Sequence, residues 1–513
     1  MGETVWIQAT QLSRDNSALA TILRRATRTG NPRVLMIESE ERSRLRRYHK
    51  RKLVLLFSAM RHLALELRKR GLEVDYHELS PDTPHRSFQD ALRVHVERYQ
   101  PSGITMMELL DRGHAREAET LVAGLGLRLR VTPTTMMLTD RHAFAEEYGG
   151  QRRLVMERHY RAIRRRLHIL MEEGRPVGGR WNLDIQNRRP LPATTPVPAA
   201  RPFPPDDSTR QVMALVDRVF ADHPGTSAPW TLPVTHREAL GWIDDFVEHR
   251  LPQFGTYQDA MRDGEQLLFH SLASPLLNIG LLSPLHVVKR VEHAYEQGHV
   301  PLNAAEGFIR QVIGWREYMY GVYWTKMPNL AEANALNARR PLPGFFWDGD
   351  TPLHCLNTCL HQARETGYLH HIQRLMIVGN FATLAGLAPR AVLEWFMTLF
   401  IDAYEWVMVP NVMGMALYAD GGSLSTKPYV SSGAYINRMS DYCRSCPFAA
   451  RERTGPRACP FNYLYWNFML EQQPQLGANP RLAMAYRTLG RKTPAELRAI
   501  QTSAREFLER LAP

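Results

Sequence analysis

Five short apolar runs alternate with amphipathic segments in the first third of this 513-residue chain. The runs span Val5–Ala9, Arg33–Ser39, Leu72–Leu79, Gly103–Leu109 and Leu127–Pro133. The segments between them, such as Lys52–Gly71, place apolar residues at helical spacing. Strands that alternate with helices at this period predict a parallel sheet covered on both faces. No G-x-G-x-x-G or Walker loop follows the first run, so we do not expect this sheet to bind a dinucleotide.

The composition changes after this region. Between Arg175 and Asp207 the chain contains eight prolines, which exclude a long helix and predict a connector. Trp181 lies in this stretch, and we expect it to pack against a domain because exposed linkers seldom contain tryptophan. Helical periodicity then dominates to the end. The predicted division is an α/β domain over 1–140, a connector over 141–207 that is proline-rich from 175, and a helical domain over 208–513.

The overall composition is that of a globular protein with an excess of basic residues. The formal net charge is +12, which permits a polyanionic partner such as nucleic acid. The chain has no run of about 18 apolar residues and does not open with a signal-peptide pattern. We therefore expect a cytoplasmic protein without a membrane partner. In that compartment thiols stay reduced, and clustered cysteines bind metal more often than they form disulfides.

Three of the five cysteines lie close together in the sequence. Cys443 and Cys446 form a C-x2-C pair, and Cys459 follows after a basic loop. A fourth ligand would have to be Cys355 or Cys359, which are four residues apart and could share one helical face. Zinc and an iron–sulfur cluster both fit this spacing. Free thiols buried in a core are the alternative.

Two further features suggest a binding site in the helical region. Ser274-Pro275 is typical of an N-cap with proline at the first helical position, and Ser271 lies just before it. Hydroxyls and free amides there would bind an anion, although an ordinary capped helix fits equally. Arg374 and Asp402 each lie on a segment that reads as a buried helix, so they are expected to pair.

Adjacent histidines and two tyrosines are the remaining candidates for chemistry. His370 and His371 point in different directions on a helix, so at most one is expected to face a given pocket. Packing in a core would explain both histidines, and it would also explain Tyr429 and Tyr435.

Long stretches of the chain are specific enough to indicate a family. They include YLHHIQRLMIVGNF, DAYEWVMVPNVMGM, ADGGSLSTKPYVSSGAYINRMSDYC, ACPFNYLYW, FSAMRHLALELR, GGRWNLD, FGTYQDAM and FIRQVIGWREYM. These stretches resemble the prokaryotic (6-4) photolyases, the iron–sulfur bacterial branch of the photolyase–cryptochrome family. The resemblance implies an α/β Rossmann-like antenna domain joined to a larger all-α domain that binds FAD.

The resemblance also implies an activity and its cofactors. A (6-4) DNA photolyase is a lyase in which photoexcited reduced FAD gives one electron to a pyrimidine–pyrimidone lesion flipped out of UV-damaged DNA. The family carries a [4Fe–4S] cluster, for which the resemblance selects Cys355 rather than Cys359 beside Cys443, Cys446 and Cys459. We expect a monomer.

Site residues follow from the same resemblance. The FAD pyrophosphate is expected at His270, Ser271, Leu272 and Ser274. Arg374 would lie near the phosphates and Asp402 at the isoalloxazine edge. At the lesion, one of His370 and His371 would donate a proton. Tyr429, Tyr435 and Gln311 would face the damaged bases.

Three positions depart from the family pattern. Met408 replaces a polar residue that usually faces flavin N5. Phe396 stands where relatives carry a tyrosine between two tryptophans, here Trp395 and Trp347, which conduct electrons to the flavin. In relatives, a loop with an aspartate lies above a lumazine-type antenna chromophore. Thr10 occupies the position of that aspartate here, which argues against an antenna in this protein.

Two alternatives to repair remain open from the sequence. One is a blue-light photoreceptor, a cryptochrome of the same architecture without repair activity, which the changes at Met408 and Phe396 favour. The other is a DNA-binding protein whose iron–sulfur cluster only supports the fold, similar to the iron–sulfur domain of large primase subunits.

Overall fold

A computed structural model of the chain describes residues 2–29, 32–80, 82 and 87–511, with only the backbone of residues 25–29. Five strands form one parallel sheet in the order β3-β2-β1-β4-β5. They are β1 (Thr4–Trp6), β2 (Arg33–Ile37), β3 (Glu73–His77), β4 (Ile104–Met107) and β5 (Leu129–Thr132). Four of these strands fall within a predicted run and β1 begins one residue before its run, so the predicted parallel sheet is confirmed.

Helices cover both faces of this sheet, as the unbroken apolar runs predict. On β2, Val34 and Met36 join a core that includes Leu53 and Met60 of one helix. The alternate residues of β2 pack in a second core with residues such as Leu92. The helices of this region are Ser17–Thr29, Glu40–Arg44, Lys50–Lys69, Phe88–Tyr99 and Arg112–Gly124.

The predicted connector contains regular structure at its start. Helices Arg141–Tyr148 and Met156–Leu167 pack on the helical region, where the Phe144 ring lies 6.1 Å from that of Tyr318. They are followed by a short hairpin of Met171–Glu172 with Arg175–Pro176, the 3-10 turns Val177–Gly179 and Asp184–Gln186, and an extended proline-rich stretch.

Trp181 packs against the helix Met156–Leu167, which belongs to the predicted connector and not to either predicted domain. The guanidinium groups of Arg161, Arg164 and Arg165 lie 5.4, 5.3 and 4.6 Å from its ring. Arg164 is buried and also donates a 2.9 Å hydrogen bond to the Trp181 carbonyl. These contacts join two parts of the connector, the helix Met156–Leu167 and the segment around Trp181. The domain limits themselves stay predictions.

The rest of the chain is helical. Its α-helices are Asp207–Val219, His236–Asp245, Leu251–Phe254, Ser274–Ile279, Pro284–Glu296, Leu302–Ile309, Glu317–Lys326, Phe345–Asp348, His354–Thr366, Asn380–Leu384, Pro389–Leu399, Glu405–Val409, Gly433–Met439, Pro460–Glu471, Gln473–Leu476, Ala483–Leu489 and Pro494–Glu509. Shorter 3-10 turns are Asn329–Glu332, Tyr442–Arg444 and Pro480–Leu482. Within the described ranges, no helix has the length and apolar character needed to cross a bilayer.

Four stretches of π-helix interrupt these α-helices. They are Phe246–Arg250, Arg310–Arg316, Gln373–Gly379 and Pro410–Ala416. A π-helical turn is wider than an α-helical turn, is rare, and is found mostly at functional sites. The last three of these stretches contribute residues to the wall of one cavity, described next.

Candidate cofactor and substrate site

The helical region encloses a cavity of about 720 Å³, a volume within the range of small-molecule and cofactor sites. It brings together most of the residues singled out in the sequence. Those in its wall are His270, Ser271, Ser274, Gln311, His371, Arg374, Phe396, Asp402, Met408, Tyr429 and Tyr435. Of the residues expected at the flavin or the lesion, Leu272 and His370 lie outside this wall.

Arg374 and Asp402 form the predicted buried ion pair, although Asp402 lies in the turn between two helices and not on a helix as expected. The guanidinium donates two parallel hydrogen bonds, Nη1 to Oδ1 at 2.9 Å and Nη2 to Oδ2 at 3.1 Å. Ser274 donates its hydroxyl to Asp402 Oδ2 at 2.6 Å, and Arg374 Nε donates to the Leu369 carbonyl at 2.6 Å. Both charges are therefore paired and hydrogen-bonded, as burial requires.

The N-cap prediction for Ser274 is off by one residue. The helix begins at Ser274, its N-cap is Ala273, and no side chain caps it. The reason lies in Asp402, because the Ser274 hydroxyl donates to that carboxylate and so is not directed to the backbone amides of its own turn. Ser274 thus links the start of this helix to the ion pair.

The loop before this helix is held in an unusual conformation. Leu272 has a φ of +49°, in the left-handed region that a bulky residue seldom adopts. The Ser271 carbonyl accepts a 2.6 Å hydrogen bond from Trp242 Nε1, and its hydroxyl accepts one from the Ala273 amide at 3.2 Å. Such strain is kept where the surroundings fix it and is common at ligand-binding loops.

The two adjacent histidines have different environments. His371 is open to the cavity, whereas His370 is fully buried behind it. The His370 ring stacks on that of His270, with centroids 4.4 Å apart and planes at 11°. Within the described residues, neither ring nitrogen of His370 has a hydrogen-bond partner. Only one of the pair therefore faces the site, as predicted for neighbours on a helix.

The pKa of each of the three histidines is lowered, which favours the neutral imidazole. Burial lowers the pKa of His270 to about 3 and that of His371 to about 4. Burial, the two neighbouring histidines and Arg374 lower the pKa of His370 well below its usual value. Arg374 adds to the effect at His371. The His371 side chain is nevertheless exposed to the open cavity, so a group bound there would change its surroundings directly.

Tyr429, Tyr435 and Gln311 lie together in the cavity wall. Gln311 donates through Nε2 to the Gly307 carbonyl at 2.9 Å, which leaves its Oε1 atom as an acceptor. Burial raises the pKa of both tyrosines, so they are neutral hydroxyl groups at physiological pH. The three side chains present neutral hydrogen-bonding groups in a wall that also contains charged residues.

The sequence interpretation missed several charged residues in the same wall. These are Asp184, Arg188, Asp259, Arg310, Arg316, Lys427 and Arg481. Lys427 lies inside a quoted motif, STKPYVSSGAY, and could have been found there. Arg188 and Arg481 lie in segments without helical or strand periodicity. The sequence pattern therefore does not predict that they line the cavity, and the fold is needed to show it. Burial raises the pKa of Asp259 to about 6.

An aromatic path runs from the cavity to the surface. Phe396 lies in the cavity wall, and its ring centroid is 5.2 Å from that of the fully buried Trp395. Trp395 donates Nε1–H to the Phe346 carbonyl at 2.7 Å, and the two rings are 5.4 Å apart. The next residue, Trp347, is 47% exposed. Closely packed rings therefore run from Phe396 in the cavity wall to Phe346, whose neighbour in the chain is the exposed Trp347.

Four cysteines line a second, small cavity. They are Cys355, Cys443, Cys446 and Cys459. Cys359 lies apart from it and shares a hydrogen bond with the Tyr442 hydroxyl. A side chain at Gly433 would come within 2.8 Å of Cys459 Sγ, so the backbone approaches this cavity closely. No three His, Cys, Asp or Glu side chains of the described ranges meet the geometry of a single metal ion.

A third cavity, of about 110 Å³, lies between the sheet and the helical region. Thr10 is in its wall, together with the buried Lys52 and Asp111. Burial lowers the pKa of Lys52 to about 7 and raises that of Asp111 to about 7. The volume is smaller than the roughly 300–1,000 Å³ of typical ligand pockets.

Comparisons with known proteins agree with this geometry. A family model described as "Deoxyribodipyrimidine photo-lyase-related protein" matches residues 5–231. A protein named (6-4) photolyase from Agrobacterium fabrum is 41% identical over 464 residues, covering 90% of this chain and 92% of that protein. Cryptochrome DASH from Vibrio parahaemolyticus is 26% identical over 154 residues, 29% of this chain and 34% of its own.

A solved structure shows the same fold. The crystal structure of a bacterial class III photolyase from Agrobacterium tumefaciens superposes with a TM-score of 0.61 over 99% of this chain and 98% of its own, at 17% identity. The architecture is therefore that of the photolyases. The identity to the Agrobacterium fabrum protein is high and spans nearly the whole of both chains. This chain belongs to the prokaryotic (6-4) photolyase family.

Proposed function

We propose that this protein uses light to repair (6-4) pyrimidine–pyrimidone photoproducts in DNA. The observation that carries the proposal is the single cavity in which Arg374 and Asp402 meet His371, Tyr429 and Tyr435. One part of this wall suits a flavin, and the other suits the flipped-out lesion. Irradiation of the purified protein with an oligonucleotide containing one (6-4) photoproduct tests the function through the thymines it restores.

The residues present fit a flavin. The Arg374–Asp402 pair and the Ser274 hydroxyl offer a fixed polar edge, and the strained loop at Ser271 and Leu272 precedes a helix. FAD bound there supplies the photochemistry, one electron given to the lesion in light and then recovered. The protein binds and orients both groups and excludes water from between them.

Asp402→Ala is expected to lower flavin occupancy by about tenfold or more. Removing one partner of a buried pair leaves Arg374 unpaired, at a cost of about 3–5 kcal/mol, and also frees the Ser274 hydroxyl. The ratio of flavin to protein absorbance after purification measures the change. The matched variant Asp402→Asn keeps the shape and an acceptor for Ser274, so it should retain more flavin than the alanine variant. Full occupancy in Asp402→Ala would remove this residue from the site.

His371 is the residue that we propose holds the proton for the lesion. It is open to the cavity, while His370 stacks on His270 behind the wall. The low pKa of His371 in the free protein means that it is neutral until an anionic group enters. A DNA phosphate or a reduced lesion beside the ring would raise its pKa and let it take up and then donate a proton.

We further propose that Cys355, Cys443, Cys446 and Cys459 hold one [4Fe–4S] cluster. Four thiols around one cavity are the donor set that such a cluster uses. The position of Cys359, bonded to Tyr442 and outside that cavity, supports leaving it out. The cluster would tie the helix His354–Thr366 to the C-terminal segment.

A light-sensing role without repair is the second candidate, and two observations favour it. Met408 is buried in the cavity wall and offers only a weakly accepting thioether where a polar group would tune a flavin. Phe396, which lies between the cavity and Trp395, cannot be oxidised as readily as a tyrosine. In such a photoreceptor, the rates of electron transfer to the flavin and of its protonation would differ from those of relatives with a polar residue and a tyrosine at these two positions.

Met408→Asn is expected to change the rate of flavin photoreduction under blue light by severalfold. An amide can donate and accept hydrogen bonds beside the ring, whereas the thioether can supply no proton. The measurement is the bleaching of flavin absorbance under constant illumination with an external electron donor. Met415→Asn is the control, because it introduces the same amide elsewhere in the wall of the cavity. Equal rates in wild type and Met408→Asn would exclude Met408 as the determinant.

We do not propose an antenna chromophore for this protein. The third cavity is small, and Thr10 in its wall cannot act as the carboxylate that the resemblance associates with the lumazine. Absorption by the flavin itself is then the source of excitation.

A further inference from the structure

Ile185 is the most exposed large apolar side chain in the described part of the chain, with 92% of its surface open to solvent. This side chain lies at the rim of the large cavity described above, so its exposure bears on substrate binding. Ile185 lies in the turn Asp184–Gln186, and both Asp184 and Arg188 are in the cavity wall. An apolar group is therefore presented where a substrate would enter.

The turn that carries Ile185 is held firmly on both sides. The Leu183 amide donates to Glu306 Oε2 at 3.0 Å, and Leu183 is buried. Asn187 is almost fully buried and donates through Nδ2 to the Asn303 carbonyl at 3.2 Å. An exposed isoleucine between two anchored neighbours is fixed in space, unlike a side chain on a loose loop.

Ion pairs fix the same turn from the side of the cavity. Asp184 accepts a 2.7 Å hydrogen bond from Arg310 Nη2 and pairs with Arg188. Burial favours the neutral form of Asp184 and so raises its pKa. The ion pairs with Arg310 and Arg188 together have the larger effect, so the pKa of Asp184 is lowered. The turn therefore keeps its charge and its position at neutral pH.

The surroundings of Ile185 favour DNA as its partner. Arg180, Arg188 and Arg189 are exposed on the same short segment, and Lys427 and Arg481 lie in the cavity wall. Arginine and lysine side chains contact the phosphates of DNA. An apolar side chain among them can insert between neighbouring bases. A protein surface rich in acidic residues would satisfy the arginines but not the isoleucine.

We propose that Ile185 inserts into the duplex at the gap that the flipped-out lesion leaves. The inference rests on the proposed repair function and adds a positioning residue to it. Flipping removes the stacking partners of the bases opposite the lesion, and an inserted apolar side chain replaces part of that contact. Ile185 would thereby hold the open state of the duplex while the lesion occupies the cavity.

The test compares duplex and single-stranded substrates that carry the same (6-4) photoproduct. Ile185→Ala should weaken binding to the duplex by about tenfold, the effect of losing much of one buried aliphatic side chain. Binding to the single strand should stay unchanged, because a single strand has no gap to fill. Ile185→Leu should restore duplex binding. Leu45→Ala is the control, an exposed leucine (66%) that is absent from the cavity wall.

A second readout follows the flipping itself. With 2-aminopurine opposite the lesion, the duplex bound to wild type should fluoresce differently from the duplex bound to Ile185→Ala, in which the base restacks. Unchanged duplex binding in Ile185→Ala, or equal weakening for both substrates, would overturn the proposal. Failure of wild type to repair even the single strand would instead contradict the proposed function, so the two outcomes are distinguishable.

Discussion

His371→Asn is expected to lower light-driven repair by about 10²–10⁴-fold, the usual contribution of a positioned general acid. The side chain is open to the cavity that also contains Tyr429 and Tyr435. Asparagine keeps similar size and polarity but cannot deliver a proton at neutral pH. Flavin occupancy should stay close to that of wild type, because the Arg374–Asp402 pair is untouched. Single-turnover repair with reduced flavin measures the loss.

The pH dependence provides the readout that separates chemistry from structure. A group whose pKa is lowered by burial carries its proton only at low pH, and the lesion must raise that pKa for the proton to be used. Repair by wild type should therefore fall as pH rises above the pKa of the substrate complex. The His371→Asn variant should lose this decline.

His370→Phe is the matched control for the adjacent histidine. Phenylalanine preserves the ring that stacks 4.4 Å from His270 and removes two nitrogens that have no partner among the described residues. This variant should keep most of the repair rate. A loss in His370→Phe as large as in His371→Asn, with flavin still bound, would show that the proton does not come from the cavity-facing histidine.

Cys355→Ala is expected to abolish iron binding and most of the soluble yield. A metal centre that joins distant segments contributes folding free energy directly, about 10 kcal/mol or more in structural metal sites of small domains. Cys355 lies on the helix His354–Thr366, far along the chain from Cys443, Cys446 and Cys459, which share its cavity. Iron and sulfide content per protein, with the yield of soluble chain, measures the effect.

Cys359→Ala is the control, because it changes the same residue type four positions away on the same helix. It removes a hydrogen bond with Tyr442 and a small buried volume, so a modest loss of stability is expected with full iron content. Full iron in Cys355→Ala together with loss in Cys359→Ala would reverse the assignment.

The sheet could be predicted from the sequence because its central strands are largely apolar and buried. Both faces of β2 are buried, Val34 and Met36 in one core and Leu35 and Ile37 in the other, so the runs are continuous and easy to recognise. The helices at Arg141–Tyr148 and Met156–Leu167 were less evident, since they lie in a segment treated as a connector.

The site was harder to predict than the sheet. A π-helical stretch such as Gln373–Gly379 differs from an α-helix by its hydrogen bonding, which residue spacing does not reveal. Helical spacing allowed either His370 or His371 to face the cavity, and only packing against His270 decides between them. Serine at position 274 is typical of an N-cap, but its hydroxyl donates a hydrogen bond to the carboxylate of Asp402, 128 residues away along the chain.

The most direct test of the account is repair itself. Protein carrying reduced flavin is mixed with a duplex oligonucleotide that contains one (6-4) photoproduct and is then illuminated or kept dark, with a cyclobutane-dimer duplex as the parallel substrate. We predict light-dependent return of two intact thymines from the (6-4) substrate, with several turnovers per protein molecule, and none in the dark. Unchanged (6-4) photoproduct after illumination, with reduced flavin shown to be bound, would contradict repair and leave the light-sensing role.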